Sequence, residues 1–135
     1  MPATSNQIIS ISKFLRKKKI SSFKKIVEQI WEKKGFNVVA IDISAVSSIA
    51  DFLILCSATS SRHSQTIADE IEKNAKMLKK TVSVEGYQKG DWILVDMGSL
   101  IIHIFTEETR DLYDLEGLWH GSPSYIVKEE PVIDR

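Results

Sequence analysis

One cysteine, no net charge and no long apolar run: each scarcity in this sequence of 135 residues removes a class of protein from consideration. Eighteen basic and eighteen acidic side chains cancel. General nucleic-acid binders carry a strong basic excess, so the balance argues against one. A single thiol, Cys56, cannot close an intramolecular disulfide, and a reducing compartment is its natural home. It lies in the apolar run FLILCSA and lacks the electropositive neighbours of a reactive thiolate, so it reads as a small buried hydrophobe. No apolar stretch approaches the ~20 residues of a membrane span. No secretory leader pattern is visible, so a cytoplasmic location is expected.

The signatures of common chemistry are missing too. The three histidines, His63, His103 and His120, stand at no metal-ligand spacing, and there is no second cysteine for a zinc site. Neither a Walker A sequence, nor GxGxxG, nor a GxSxG elbow occurs. Ser60 and Ser61 precede Arg62-His63, but at a helix start these serines are better caps than nucleophiles. Asp42, Asp51 and Asp96 fall one to a strand, without the Asp-x-Asp convergence of two-metal phosphoryl transfer. No catalytic residue, metal or cofactor is expected.

What is present is enough apolar material, 43% of residues, for one domain. Residues 1–21 hold Lys13, Arg16, Lys17, Lys18 and Lys19 and no acid, and read as a basic extension. A solvated tail or a partly helical extension is the simplest reading. An arm touching RNA, or a transit peptide directing the chain to a mitochondrion or chloroplast, are the alternatives. From residue 22 the period is helical: Phe23, Ile26, Val27, Ile30 and Trp31 form one stripe, with Ser21 or Ser22 as cap and Gly35 as stop. Val38–Ile43 and Asp51–Ala58 read as strands, the second buried on both faces. A helix opening at Thr59–Ser61 follows, with a stripe of Ile67, Ala68, Ile71, Ala75 and Leu78. With a strand over Val82–Tyr87, these predict a βαβ-like unit with parallel pairing.

Trp92–Met97 and Leu100–Phe105 are two alternating strands around Gly98-Ser99, the loop of a type II′ hairpin. Thr106–Trp119 is predicted as one helix, with Leu112, Leu115 and Trp119 on its buried stripe and Tyr113 away from it. Residues 121–135, with Pro123 and Pro131, read as a loose tail. One strand face of the hairpin carries Trp92 and Asp96, and its partner carries His103. Periodicity alone leaves two readings open for Trp92, Asp96, His103 and Tyr113: a recognition surface, or a sheet face covered by a helix.

Four stretches in fixed order carry a resemblance: IADFLILCSATSSRHSQTIADEIE (49–72), EGY (85–87), GDWILVDMGSLIIHIF (90–105) and TRDLYDLEGLW (109–119). The sequence resembles the ribosomal silencing factor family (RsfS, also called Iojap) across residues 22–120. The resemblance implies a single α/β domain with a mixed five-stranded sheet packed with helices, similar to nucleotidyltransferases but without their activity. It implies binding to the large ribosomal subunit through the protein uL-fourteen, and a block on joining of the small subunit that represses translation. Carried over, it assigns partner contact to Trp92, Asp96, His103 and Tyr113. The family needs no cofactor, membrane or sequence-specific nucleic acid. A homodimeric interaction module using the same face, and a nucleotide-binding enzyme, are the competing readings. Gly117 departs from the pattern, where a long polar residue is expected, and is predicted to loosen the last helix.

Overall fold

The computed structural model describes residues 7–17 and 22–129. Seven strands form one mixed sheet: β1 (Gln7–Ser10), β2 (Phe36–Asp42), β3 (Phe52–Ala58), β4 (Ser83–Glu85), β5 (Trp92–Asp96), β6 (Leu100–Thr106) and β7 (Ser124–Lys128). Their order is β1-β7-β2-β3-β6-β5-β4. β3 and β6 pair in parallel, as do β1 and β7, and the other neighbours are antiparallel. The α/β class and the mixed sheet are as expected. The strand count is seven rather than five.

The two added strands come from segments read as tails. β7 lies between β1 and β2, where Tyr125 and Val127 are buried. In β1 and the following helix α1 (Ile11–Lys17), Ile9, Ile11 and Phe14 are buried too. The Phe14 ring lies 4.3 Å from that of Phe23 and 5.3 Å from that of Tyr125, tying both chain ends to the core. Of the basic residues behind the arm and transit readings, Lys13 is exposed on α1, while the side chains of Arg16, Lys17, Lys18 and Lys19 lie outside the described residues, as does the tail beyond residue 129.

Helices α2 (Phe23–Glu32) and α3 (Ser61–Met77) cover one sheet face together with α1. The α2 stripe buries Phe23, Ile26, Val27 and Ile30 as its period requires, and Trp31 is half-buried against the same core. Ser22 starts α2 without a side-chain capping bond. Its hydroxyl receives the Lys80 ammonium instead. The stop also differs in mechanism. Lys34, at φ 69°, takes the left-handed position, while the N–H groups of Lys34 and Gly35 donate to the carbonyls of Trp31 and Ile30. Gly35 is needed for space: a Cβ there would stand 2.5 Å from Ile30 Cγ2.

In α3 the expected cap is present, with Ser60 Oγ accepting from the His63 N–H at 3.1 Å. His63 Nδ1 accepts from the Thr59 N–H at 3.0 Å, so its proton is on Nε2, which donates to the Lys33 carbonyl at 2.6 Å. One imidazole thus joins the end of α2 to the start of α3. Ile67, Ala68, Ile71 and Ala75 are buried, whereas Leu78 has left the stripe at the helix end and is exposed. The strand after α3 does not pair with β3. β4 pairs with β5 at the sheet edge, and β6 takes the place beside β3. Parallel pairing therefore holds for β3, but with β6, two strands further along the chain than the expected β4.

Candidate functional site: the aromatic face of the hairpin

The second face of the sheet is built on β5 and β6. Their hairpin turns at Gly98-Ser99, with Met97 N–H donating to the Leu100 carbonyl at 2.9 Å and Gly98 at φ 86°, the positive first position of a type II′ loop. This register sets Trp92 opposite Phe105, Leu94 opposite His103 and Asp96 opposite Ile101. Alternation then directs all six to one side, away from α2 and α3.

Three of the four expected site residues meet there. The Trp92 ring stacks on Phe105 at 5.1 Å and 28° and meets Tyr113 at 4.8 Å. Its indole N–H donates to His103 Nδ1 at 3.0 Å, which leaves the imidazole proton on Nε2. His103 is buried, and burial pushes its pKa down to about 4, so the ring is neutral at physiological pH. Trp92 is half-buried and Tyr113 is 56% exposed. Asp96 shares the face but not the cluster. Its carboxylate accepts the Gly98 N–H at 2.8 Å and holds the hairpin turn.

The expected single helix is broken in two. α4 (Glu107–Tyr113) ends at Asp114, which takes the left-handed conformation at φ 44° and caps α5 (Leu115–Leu118) through the Gly117 N–H at 3.1 Å. Gly117 is therefore a fitted position and not a loose one: a Cβ would lie 2.2 Å from Asp114 Oδ2. The break turns the predicted stripe outward at Leu112, 76% exposed, and keeps Leu115 and Trp119 half-buried on the second core. Leu112, Tyr113 and Leu118 are left as large exposed hydrophobics on α4 and α5.

Arg110 was not singled out in the sequence, yet it fixes this face. It is buried, with Nη1 donating to the Asn37 carbonyl at 2.6 Å and to Ser57 Oγ at 2.9 Å. Nε and Nη2 form a two-pronged pair with Glu116 at 3.1 and 3.0 Å. The Asn37 carbonyl is available because β2 bulges there, with Asn37 at φ 52°. Arg110 thereby clamps α4 and α5 onto β2 and β3. Cys56 is buried on the other sheet face, where burial pushes its thiol up to about 12, the property of an inert core residue.

Among the described residues no group of three or more His, Cys, Asp or Glu side chains could hold a metal ion, and no helix is long and apolar enough to cross a membrane. What the face offers is an aromatic cluster, Trp92, Phe105 and Tyr113 with the neutral His103, held on two paired strands. That defines an α/β domain with a surface suited to protein recognition.

Comparison with known proteins gives the class its family. Residues 16–135 match the model described as "Ribosomal silencing factor during starvation", and the chain belongs to that family. It is 36% identical over 108 residues to ribosomal silencing factor RsfS of Halalkalibacterium halodurans, covering 79% of this chain and 91% of that one. It is 32% identical over 98 residues to the mouse protein named "Mitochondrial assembly of ribosomal large subunit protein 1", covering 70% of this chain and 43% of that one. A crystal structure of a Chromobacterium violaceum protein matches with a TM-score of 0.70 at 26% identity, covering 84% of this chain and 89% of that one.

Proposed function

We propose that this chain docks on the large ribosomal subunit through protein uL-fourteen and excludes the small subunit by occupying part of the joining surface. Family membership supports a ribosomal role, and the name of the mouse relative points to the large subunit. The observation that carries the choice of face is the stack of Trp92 on Phe105 and its contact with Tyr113, which is 56% exposed. Rigid aromatic anchors with apolar neighbours are the usual centre of a protein interface. Trp92 and Tyr113 would make contact, while His103 would set the Trp92 ring and Asp96 would hold the hairpin beneath it.

Inhibition by this route is steric and needs no reaction. A binding free energy of about −10 kcal/mol, a Kd of tens of nanomolar, suffices to hold the site. The test is co-sedimentation with isolated large subunits, with small subunits as control, followed by a subunit-joining assay. Binding to large subunits alone, with joining blocked at stoichiometric amounts, is expected. Equal binding to both subunits, or unimpeded joining, would overturn the proposal.

A further inference from the structure

The opposite side of the sheet holds a second feature, in the cleft between α2 and α3. Its volume is about 380 Å³, and its walls include Glu28, Gln29, Trp31 and Glu32 from α2 and Glu70 and Asn74 from α3. Glu129, just beyond β7, adds a fourth carboxylate, and among the described residues Lys25 is the one cation lining the cleft. Glu28 and Glu32 stand at i,i+4, where like charges repel. Of the four acids, Glu70 is engaged: one oxygen accepts from Asn74 at 2.9 Å and the other lies 3.9 Å from the Lys33 ammonium.

A solvated acidic helix face would explain the glutamates, but it leaves Gln29 unexplained. Gln29 is 6% exposed, and its Oε1 accepts no hydrogen bond from the described residues. Buried polar atoms are nearly always paired, so an orphan beside a cleft points to a donor from outside. The same residue borders a narrower cavity of about 80 Å³ whose walls mix Ile26, Ile71 and Ala75 with Lys25, Asn74 and Lys80. Trp31, half-buried, gives the cleft an aromatic wall.

We propose that the α2–α3 cleft docks an arginine side chain presented by a basic segment of a partner protein. A guanidinium carries five donors in one plane and stacks on aromatic rings. One N–H serves Gln29 Oε1 after a small turn of the amide, others serve Glu28 and Glu32, and the planar group lies against Trp31. A lysine ammonium is a point charge and satisfies fewer of these at once. The sheet separates this cleft from the Trp92–Tyr113 face, so one partner surface can occupy each side simultaneously.

The probe is acetyl-tetraarginine amide titrated into the full ¹⁵N-labelled chain at physiological salt, read by NMR. The Gln29 side-chain amide and the Trp31 indole are expected to shift saturably, and acetyl-tetralysine amide to bind at least threefold more weakly. Glu28→Gln combined with Glu32→Gln should weaken binding tenfold or more at an unchanged melting temperature. Glu107→Gln combined with Glu108→Gln, on the other side of the sheet, should leave it unchanged. Shifts that never saturate, that spread equally to the Glu107–Glu108 segment, or that omit Gln29 would overturn the proposal. So would concentration-dependent shifts of Gln29 and Trp31 without peptide, which would give the cleft to a second copy of the chain.

Discussion

The two faces of the sheet are built on different principles. The face under α1, α2 and α3 is packed by aliphatic and aromatic side chains, with Ile54, Ile93, Ile102 and Ile104 fully buried. The face under α4 and α5 has a smaller apolar cluster, and polar side chains fix its cover: Arg110 on Glu116, Ser57 and Asn37, and His103 on Trp92. Apolar packing is non-directional and supplies bulk stability. Hydrogen-bonded pairs supply orientation at the risk of a buried unpaired group when one partner is lost. The contrast fits a division of labour, in which the first face holds the domain together and the second aims a set of exposed side chains.

The largest expected effect sharpens that contrast. Ile54→Ala and Arg110→Ala should each cost about 3–4 kcal/mol, measured by denaturant unfolding, but for opposite reasons. The first opens a cavity. The second strands Glu116, Ser57 and the Asn37 carbonyl. Adding Glu116→Gln should recover part of the Arg110→Ala loss and none of the Ile54→Ala loss. Equal response in both backgrounds would erase the distinction.

Acid should act through the second face. The unfolded imidazole of His103 titrates near 6.5 and the folded one at about 4, because burial disfavours its charged form. The folded state therefore binds fewer protons between these values. The His103 contribution is complete above pH 6.5 and is lost as pH falls toward 4, by up to ~1.4 kcal/mol per pH unit and ~3 kcal/mol in all. A proton on Nδ1 would also oppose the Trp92 N–H. His103→Gln should flatten this part of the stability profile, and a variant keeping the wild-type slope would assign the acid sensitivity elsewhere.

Gly117→Ala is the smallest predicted change and the one most opposed to propensity. Alanine ordinarily stabilises a helix by roughly 1 kcal/mol over glycine. Here the added Cβ meets the Asp114 carboxylate that caps α5, so a loss of about 1 kcal/mol is expected in thermal unfolding. A gain would show that the cap contributes little to the orientation of this face.

Legibility in the sequence followed the same division. The stripe of α2, the continuous apolar run of β3, the Ser60 cap and the Gly98-Ser99 hairpin were readable, because each is decided by residues close in sequence. β1 and β7 were not, since four- and five-residue strands beside basic or proline-containing segments become strands only by pairing with each other and with β2. The place of β6 beside β3 is a choice of topology that local pattern does not encode. The break at Asp114 was hidden because aspartate, unlike glycine, gives no strong warning of a left-handed turn. Arg110 carries no local signal of burial, which depends on a bulge 73 positions away. Of the site, the hairpin residues Trp92 and His103 were legible as sharing a face. That Tyr113 joins them, and that Asp96 turns to the loop instead, required the helix break and the turn geometry.

The division of labour is tested most directly by large-subunit binding of Tyr113→Ala, with its melting temperature measured in the same buffer. Tyr113 is 56% exposed, so its loss should lower the melting temperature by only a few degrees. Affinity for isolated large subunits should fall by roughly tenfold or more, the loss of ~1.4 kcal/mol or more expected of an interface aromatic. A folded Tyr113→Ala chain that binds large subunits at wild-type affinity would contradict the account and remove the aromatic face from the interface.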